Sequence, residues 1–320
     1  MQLFKIQSNQ TIVTEVILLG FGRLENIRFL VFLLLLVSYC MAICGNLMII
    51  ILVSCSKNLQ SPMYFFLTNL SFSDLMLTTD IVPNLLHIVL HETGRMGFVG
   101  CVFQLNFFIF SECSECFVLT VMSYDRYSAI CHPLHYTSVM NFSSCVKLTG
   151  FSWLLSIFAM LMSTITIICL NFCGPNTVNH FFCDVTPVLK LSCSDISMVQ
   201  LAMVCLGVPT LLLPLFYVVV SYSYVIFTIL KIPSSTGKQK AFSTCSSHLT
   251  VVCLFYATLI SIYGLPTRGQ LLNISKLLSL LYTLGTPLLN PVIYTLRNKE
   301  INIAFQKLVN NIKGVLHMHL

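Results

Sequence analysis

Long apolar runs recur along the chain and are separated by short polar segments. Seven of these runs reach about the 20 residues that a helix needs to cross the hydrocarbon core of a bilayer. They lie at about 27–53, 62–86, 99–124, 146–168, 197–230, 243–263 and 272–295. Because a backbone in lipid must satisfy its own hydrogen bonds, such runs predict helices rather than open strands. The predicted fold is an all-α membrane protein with a bundle of seven transmembrane helices.

The end of the chain carries an amphipathic pattern. Four apolar residues share one face of a predicted helix: Ile301, Ala304, Phe305 and Leu308. Three polar residues lie off that face: Lys299, Asn302 and Gln306. Such a short helix is expected to lie along the inner membrane surface. The chain is accordingly divided into an extracellular N-terminal segment (1–26), a transmembrane domain (27–296) and a cytoplasmic tail (297–320).

Composition agrees with a membrane environment. Only 9% of the 320 residues are charged and 56% are apolar, whereas about a quarter of the residues in a soluble domain are charged. The net charge of +6 does not indicate a nucleic-acid partner, because the basic residues form short clusters beside apolar runs. Lipid is therefore the expected surrounding. The N-terminal segment up to Gly22 shows no evident cleavable signal peptide.

The distribution of charge predicts the orientation. If the N-terminus is extracellular, ten of the seventeen Lys and Arg residues fall in inner segments and seven in outer ones. An excess of inner basic residues is typical of membrane proteins. Asn9-Gln10-Thr11 agrees, because a glycosylation acceptor at Asn9 must face the lumen. The prediction is a multi-pass protein of the cell membrane with a cytoplasmic C-terminus.

Four of the fifteen cysteines lie near or in polar loops: Cys101, Cys173, Cys183 and Cys193. An even set of this kind indicates disulfides and an oxidising face. A competing interpretation takes His180, Cys183, Asp184 and Cys193 as a copper or zinc site, since thiolate and imidazole suit these metals. Cysteines oxidised to disulfides could not act as such ligands.

Polar residues near the middle of the predicted helices are a second candidate site. Asp74, Glu115 and Asn290 occupy three different helices, and Asn46 lies in the first. A charge at a helix centre costs on the order of 2.5–3.5 kcal/mol, so these groups are expected to face one another. One interpretation is a polar cluster that could hold a cation and whose hydrogen bonds differ between two arrangements of the helices. The other is a static network that only serves packing.

An adjacent acid–base pair, Asp125-Arg126, is predicted at the cytoplasmic end of the third helix. As a switch, Arg126 would be held by Asp125 until a movement frees its guanidinium to donate elsewhere. As a structural feature, the pair would simply reach towards the membrane interface. The short motif Asp125-Arg126-Tyr127 does not by itself decide between these two interpretations.

Longer segments carry more information. They are LQSPMYFFLTNLSFSD (59–74), MSYDRYSAICHPLHY (122–136), HFFCDVTPVLKLSCSD (180–195), SYSYVIFTILKIPSSTGKQKAFSTCSSHL (221–249) and TPLLNPVIYTLRNKE (286–300). With the N-terminal stretch at 14–21 and Gly45-Asn46, they run in order from about residue 14 to 300. In these segments the chain resembles the olfactory receptors, a family of rhodopsin-like G-protein-coupled receptors.

The resemblance implies two disulfides, Cys101–Cys183 and Cys173–Cys193, of which the second ties down the long outer loop. It places a sodium ion, the only cofactor expected, at Asp74 and Glu115. It also implies a set of residues that switch and engage the G protein when the sixth helix moves outward: Asp125, Arg126, Tyr127, Tyr222, Lys238, Lys240, Asn290, Pro291 and Tyr294.

The resemblance further implies an odorant pocket in the outer half of the bundle. A stripe spaced by helical turns on the third helix is expected to face residues of the fifth, sixth and seventh helices. The members of this set are Leu105, Phe108, Ile109, Glu112, Cys113, Met203, Leu206, Gly207, Thr210, Tyr256, Leu259, Ile260, Tyr263, Leu280 and Thr283. Some of them are equally suited to plain helix–helix packing. A mostly apolar cavity of this kind suits a small volatile molecule.

Glu112 is the unusual member of the pocket set, because an apolar site makes a bare carboxylate costly. It either pairs with a protonated amine ligand or stays neutral and donates a hydrogen bond. The implied partners are thus a small volatile odorant, membrane lipid and a stimulatory G protein that raises cyclic AMP. Neither a catalytic triad nor a phosphate-binding loop with workable context is present, so enzyme activity is not expected. The alternatives are a transporter or channel and a non-olfactory chemoreceptor.

Overall fold

A computed structural model describes residues 13–22, 24–264 and 271–318. Its long helices are α1 (Arg28–Cys55), α2 (Pro62–His91), α3 (Phe98–Cys131), α4 (Phe142–Ile168), α5 (Ser197–Lys231), α6 (Ser235–Gly264), α7 (271–297) and α8 (Lys299–Met318). α7 consists of three consecutive parts: Leu271–Leu280, a π-helical turn at Leu281–Gly285, and Thr286–Arg297. Short helical turns lie at Glu25–Ile27, Lys57–Leu59, Tyr136–Val139 and Val185–Leu189. The predicted bundle of seven helices is confirmed.

Six of these spans are long and apolar enough to cross a membrane within the described residues: Glu25–Cys55, Phe98–Cys131, Phe142–Ile168, Ser197–Lys231, Cys245–Tyr263 and Leu271–Thr295. α2 is equally long but more polar, because it buries Ser71, Ser73, Asp74 and Thr78 in the bundle. It packs between α1 and α3. Its polar side chains therefore face protein rather than lipid, as a membrane helix requires.

α3 lies at the centre of the bundle and contacts α2, α4, α5 and α6. α1 and α5 instead expose many apolar side chains, such as Phe29 and Phe216, which lipid would cover. α6 begins at Ser235, eight residues before the predicted start at 243. The difference arises because its first two turns are polar and extend beyond the apolar run.

The sequence did not predict a small sheet at the end of the bundle that holds the N-terminal segment. This end is called the outer end below, and the opposite end is called the inner end. Strands β1 (Glu15–Leu18), β2 (Gly94–Gly97) and β3 (Thr177–Val178) form it in the order β2-β1-β3. β1 pairs antiparallel with β2 and parallel with β3. The N-terminal segment is thus tied to two outer loops.

The turn after β1 requires glycine. Gly20 has φ +55°, and a Cβ there would lie 2.4 Å from Ile88 Cγ2. Both the left-handed backbone and the close approach exclude larger residues.

The predicted face of α8 is largely observed. Ile301 and Ala304 are buried and Leu308 is half-buried. Phe305 departs from this face and is 40% exposed. Its ring is available to lipid, whereas α8 contacts α1, α7 and the turn at Lys57–Leu59 with other residues.

Candidate functional site

The inner end of α3 holds a buried acid–base pair. Arg126 Nε donates to Asp125 Oδ2 at 2.9 Å, and Arg126 Nη2 donates to the same oxygen. The Tyr136 hydroxyl donates to Asp125 Oδ1 at 2.7 Å. Asp125 is fully buried and only 7% of Arg126 is exposed. A guanidinium reaching for the membrane interface would be exposed, so the arrangement favours a held Arg126.

Two predicted switch residues have other partners in this arrangement. The Tyr222 hydroxyl pairs with His248 Nδ1 at 2.5 Å, and their rings are stacked with centroids 5.6 Å apart. The Tyr294 hydroxyl is buried and has no hydrogen-bond partner among the residues that the structure describes. Neither tyrosine is thus hydrogen-bonded to Arg126 within the described chain.

The remaining predicted switch residues surround this region. The Tyr127 hydroxyl pairs with His132 Nε2 at 3.1 Å. Lys238 lies in the first turn of α6 and is half-buried, whereas the side chain of Lys240 lies outside the described residues. Pro291 sits inside α7, where a Cβ added to Gly45 of α1 would lie 2.9 Å from its Cβ. Gly45 therefore allows α1 to touch α7 directly.

The middle of the bundle brings the predicted polar residues together only in part. Asn290 Nδ2 donates to both Asp74 carboxylate oxygens, at 3.0 and 3.2 Å. Asn46 instead donates to backbone carbonyls, among them Pro287 O at 2.9 Å in α7. The Ser73 and Ser114 hydroxyls, 2.8 Å apart, join α2 to α3 one residue before Asp74 and Glu115.

Glu115 differs from Asp74 in its surroundings. Both of its carboxylate oxygens are buried and have no hydrogen-bond partner among the described residues. Asp74 and Glu115 also repel one another electrostatically. Hard cations prefer oxygen ligands, and a cation here would offset the cost of ionising these two buried carboxyl groups. These two carboxylates therefore fit the sodium ion that the family resemblance implies.

Replacing Asn290 by Leu is expected to destabilise the protein by about 1.5–3 kcal/mol, because Asp74 would lose the one amide group that donates to both of its oxygens. Thermal unfolding of detergent-solubilised protein measures the effect. The exposed Asn273 of α7 offers a matched control, Asn273→Leu, for which little change is expected. The exchange Asp74→Asn with Asn290→Asp should recover most of the loss. An unchanged unfolding temperature for Asn290→Leu would contradict the assigned role.

The two predicted disulfide pairs lie together in the structure. Cys101 is bonded to Cys183 with Cα atoms 5.5 Å apart, and Cys173 to Cys193 with Cα atoms 5.7 Å apart. The metal interpretation of this loop is therefore wrong, because both of its cysteines are consumed in disulfides. Nor does any group of three or more potential metal ligands occur in the described part of the chain.

The outer loop is held against the bundle at two further points. Gln104 of α3 accepts from the Cys183 backbone N–H at 3.0 Å. Lys276 Nζ of α7 donates to Gly20 O and to Asn179 Oδ1, both at 2.6 Å. Lys276 thereby joins α7 to the N-terminal segment and to the loop. Burial, followed by the charge of Lys276, lowers the pKa of His180 to about 3, so this histidine is neutral at physiological pH.

The predicted pocket residues fall into two groups. Six are buried in the outer half of the bundle: Leu105, Phe108, Cys113, Tyr256, Leu259 and Thr283. Eight are half-buried or exposed: Ile109, Glu112, Met203, Leu206, Gly207, Thr210, Tyr263 and Leu280. The Tyr256 hydroxyl pairs with Cys116 Sγ at 3.2 Å, and this thiol also donates to Thr210 O at 3.5 Å. These contacts join α3, α5 and α6 near the buried group.

Ile260 differs in its surroundings from Tyr263, although both are about half exposed, at 50% and 51%. Ile260 lies one or two turns from Cys253 and Ala257, which are also exposed, whereas the Tyr263 hydroxyl donates to Glu112. Tyr256, Leu259 and Tyr263 form the neighbouring stripe of α6. Because one helical step rotates a side chain by about 100°, Ile260 lies beside this stripe rather than in it.

Glu112 has a polar partner across the bundle. The Tyr263 hydroxyl of α6 donates to Glu112 Oε2 at 3.1 Å. The carboxylate of Asp184, next to Cys183 in the outer loop, repels that of Glu112. Burial raises the pKa of Asp184 to about 6, so its carboxylate is still charged at neutral pH. The outer site is therefore acidic as well as aromatic.

Known proteins match this chain over nearly its whole length. The sequence profile of the olfactory receptor family matches residues 35–311. The chain belongs to the olfactory receptor family. It is 46% identical to olfactory receptor 6B1 of Homo sapiens over 300 residues, which cover 94% of this chain and 96% of that protein. Its identity is 42% with olfactory receptor 11L1 of Homo sapiens (96% of each chain). With olfactory receptor 1468 of Rattus norvegicus it is 41% (93% and 95%).

Membership in the olfactory receptor family settles the class of protein. The chain is a multi-pass membrane receptor of the G-protein-coupled type and not an enzyme. The profile match begins inside α1 and ends inside α8, so it includes all seven membrane helices.

Several residues of this olfactory receptor that matter to the site escaped the sequence analysis. They are Tyr136, Asn179, Asp184 as a pocket carboxylate, His248, Lys276 and Tyr282. His248 and Lys276 carried a usable signal, since each is a polar residue at an otherwise apolar helix position. The partners of Tyr136 and Asp184 depend on how loops fold back, which helical periodicity does not encode.

Proposed function

We propose that this olfactory receptor binds a small volatile odorant in the outer half of the bundle and activates a stimulatory heterotrimeric G protein. Cyclic AMP would rise as a result. The N-terminus would be extracellular and the C-terminus cytoplasmic. The observation that carries the proposal is the separation of two sites along α3. Glu112 faces the outer site, and Arg126 is held at the inner end.

The outer site is suited to a small, largely apolar ligand. Phe108 packs on Phe182 of the outer loop, with ring centroids 4.9 Å apart, and on Tyr282 of α7 at 6.1 Å. Phe255 of α6 closes the same aromatic cluster against Tyr282 at 5.9 Å. Apolar walls with a few polar groups are typical of small-molecule sites.

The inner site is suited to a two-state switch. Arg126 is satisfied by Asp125, while Tyr222 is satisfied by His248 on α6. An outward movement of α6 would break the Tyr222–His248 contact and free Tyr222 to meet Arg126. An odorant drives this movement only to the extent that it binds the active state more tightly. Sodium at Asp74 and Glu115 would stabilise the arrangement described here by neutralising their charges.

Arg126→Ala is expected to abolish an odorant-dependent rise in cyclic AMP while leaving surface display intact. The measurement uses cells that co-express the olfactory stimulatory G protein, a broad odorant panel including amines, and surface staining. Arg28→Ala is the matched control, because Arg28 pairs with Glu92 on the outer side, at 3.5 Å, and should retain the response. A response that persists in Arg126→Ala, or silence of the wild type at full surface display, would contradict the proposal.

A further inference from the structure

Two carboxylates from different parts of the chain, Glu112 and Asp184, influence one another electrostatically in the outer site. Glu112 lies one turn below Phe108 on α3, and Phe108 packs on Phe182 of the outer loop at 4.9 Å. The Cys101–Cys183 disulfide fixes the loop there, which places the next residue, Asp184, within electrostatic range of Glu112. Burial and the neighbouring carboxyl group both make it costly to ionise the pair, and a ligand of opposite charge would remove that cost.

No cation of the described chain neutralises these two carboxylates. The ion pairs in the described residues are Arg28–Glu92 and Asp125–Arg126. The buried Lys276 is directed to Gly20 O and Asn179 Oδ1 instead. The loop histidine, His180, is neutral at physiological pH, since its pKa is lowered to about 3. Among the described residues, the neutral Tyr263 hydroxyl is the one side-chain donor to the Glu112 carboxylate.

A third polar group points to the same ligand. Tyr282 of α7 is 1% exposed, and its hydroxyl has no hydrogen-bond partner among the described residues. This hydroxyl interacts electrostatically with Glu115 first and then with Glu112 and Tyr263, so it lies between the two glutamates of α3. A buried hydroxyl without a partner is uncommon in folded proteins. It can accept from a ligand that carries several N–H groups.

We infer that Glu112, Asp184 and Tyr282 bind the ammonium group of a protonated amine odorant, an inference that rests on the proposed receptor function. An ammonium offers three donors on one positive charge, which match two carboxylates and one hydroxyl. The adjacent rings of Phe108 and Tyr282 add the aromatic faces that cations prefer. The apolar part of the amine would occupy the aromatic cluster.

The test compares primary amines with the alcohols of the same carbon skeleton in the cyclic AMP assay. The wild type is expected to respond to at least one amine more strongly than to its alcohol. Glu112→Gln should raise the half-effective amine concentration by about tenfold or more, because it removes one charged acceptor. Tyr282→Phe keeps the ring and removes only the hydroxyl, so a shift of about two- to tenfold is expected. Asp184→Asn should fall between these two.

Matched controls separate this inference from the proposed function. Glu92→Gln removes an outer carboxylate that pairs with Arg28, and the amine response should be unchanged. Asp125→Asn should raise cyclic AMP without ligand and reports G-protein coupling alone. If Asp125→Asn is active and no amine is preferred over its alcohol, the inference is overturned and the proposed function stands. Amine responses that are equal in the wild type, Glu112→Gln and Tyr282→Phe would also overturn it. Silence of Asp125→Asn at full surface display would overturn the proposed function.

Discussion

Asp125→Asn is expected to raise cyclic AMP in the absence of any odorant. Asp125 is the side-chain partner that holds Arg126 in the described chain. Hydrogen bonds to charged groups contribute about 1.5–3 kcal/mol. Loss of the charge would therefore shift the equilibrium between the held and free states of Arg126 by about 10- to 100-fold. The readout is basal cyclic AMP divided by surface staining, in cells with the stimulatory G protein.

Tyr136→Phe provides the graded comparison for Asp125→Asn. Burial, followed by the negative charge of Asp125, raises the pKa of Tyr136, so its hydroxyl stays protonated and donates to Asp125 Oδ1. Removing this donor leaves the ion pair with Arg126 in place. A smaller basal rise is expected than for Asp125→Asn. Wild-type basal cyclic AMP in Tyr136→Phe, beside a rise in Asp125→Asn, would show that the Tyr136 hydroxyl does not restrain the receptor.

His248→Ala addresses the second half of the same switch. It removes the partner of Tyr222 without touching Asp125 or Arg126. If the two contacts restrain one movement of α6, the basal effects of Asp125→Asn and His248→Ala should not add independently. Neighbouring groups in one network are expected to be coupled in this way. Simple additivity would instead indicate two separate restraints.

The membrane helices could be predicted from the sequence because lipid imposes a simple rule on apolar length. α3 and α4 both contain the predicted runs and extend beyond them. The π-helical turn at Leu281–Gly285 and the three-stranded sheet had no such signal. A π-helical turn depends on local packing of α7, and β1 is only four residues long. Both are decided by tertiary contacts rather than by periodicity.

The candidate site shows the same division. Asp74 and Asn290 could be expected to meet, because buried polar groups in a membrane need one another, and they are hydrogen-bonded. The same rule grouped Asn46 with them, but Asn46 binds the carbonyl of Pro287 instead. The rule states that a partner is needed and does not say whether side chain or backbone supplies it. Ile260 illustrates another limit. The sequence gives the spacing of a stripe of residues on α6, but the packing of the neighbouring helices decides which of these residues face the bundle.

Removing the Cys101–Cys183 disulfide is expected to destabilise the receptor more than removing Cys173–Cys193. The two bonds close loops with sequence separations of 82 and 20 residues. If a disulfide acts by restricting the unfolded chain, the longer loop gives about 4.5 kcal/mol and the shorter one about 3.3 kcal/mol. Thermal unfolding of the detergent-solubilised Cys→Ser double variants measures both values. Equal losses would show that loop length does not govern their contributions.

The two disulfides should also differ in their effect on ligand response. Cys183 lies between Phe182, which packs on Phe108, and Asp184, which acts electrostatically on Glu112. Its release would move an aromatic wall and a charged group away from the outer site together. Cys193 lies eleven residues from Phe182, and its backbone pairs with Asn171. Among receptors that still reach the surface, odorant responses should therefore be lost in the Cys101→Ser/Cys183→Ser variant and only weakened in the Cys173→Ser/Cys193→Ser variant. The reverse order would mean that the second bond, and not the first, positions the loop over the ligand.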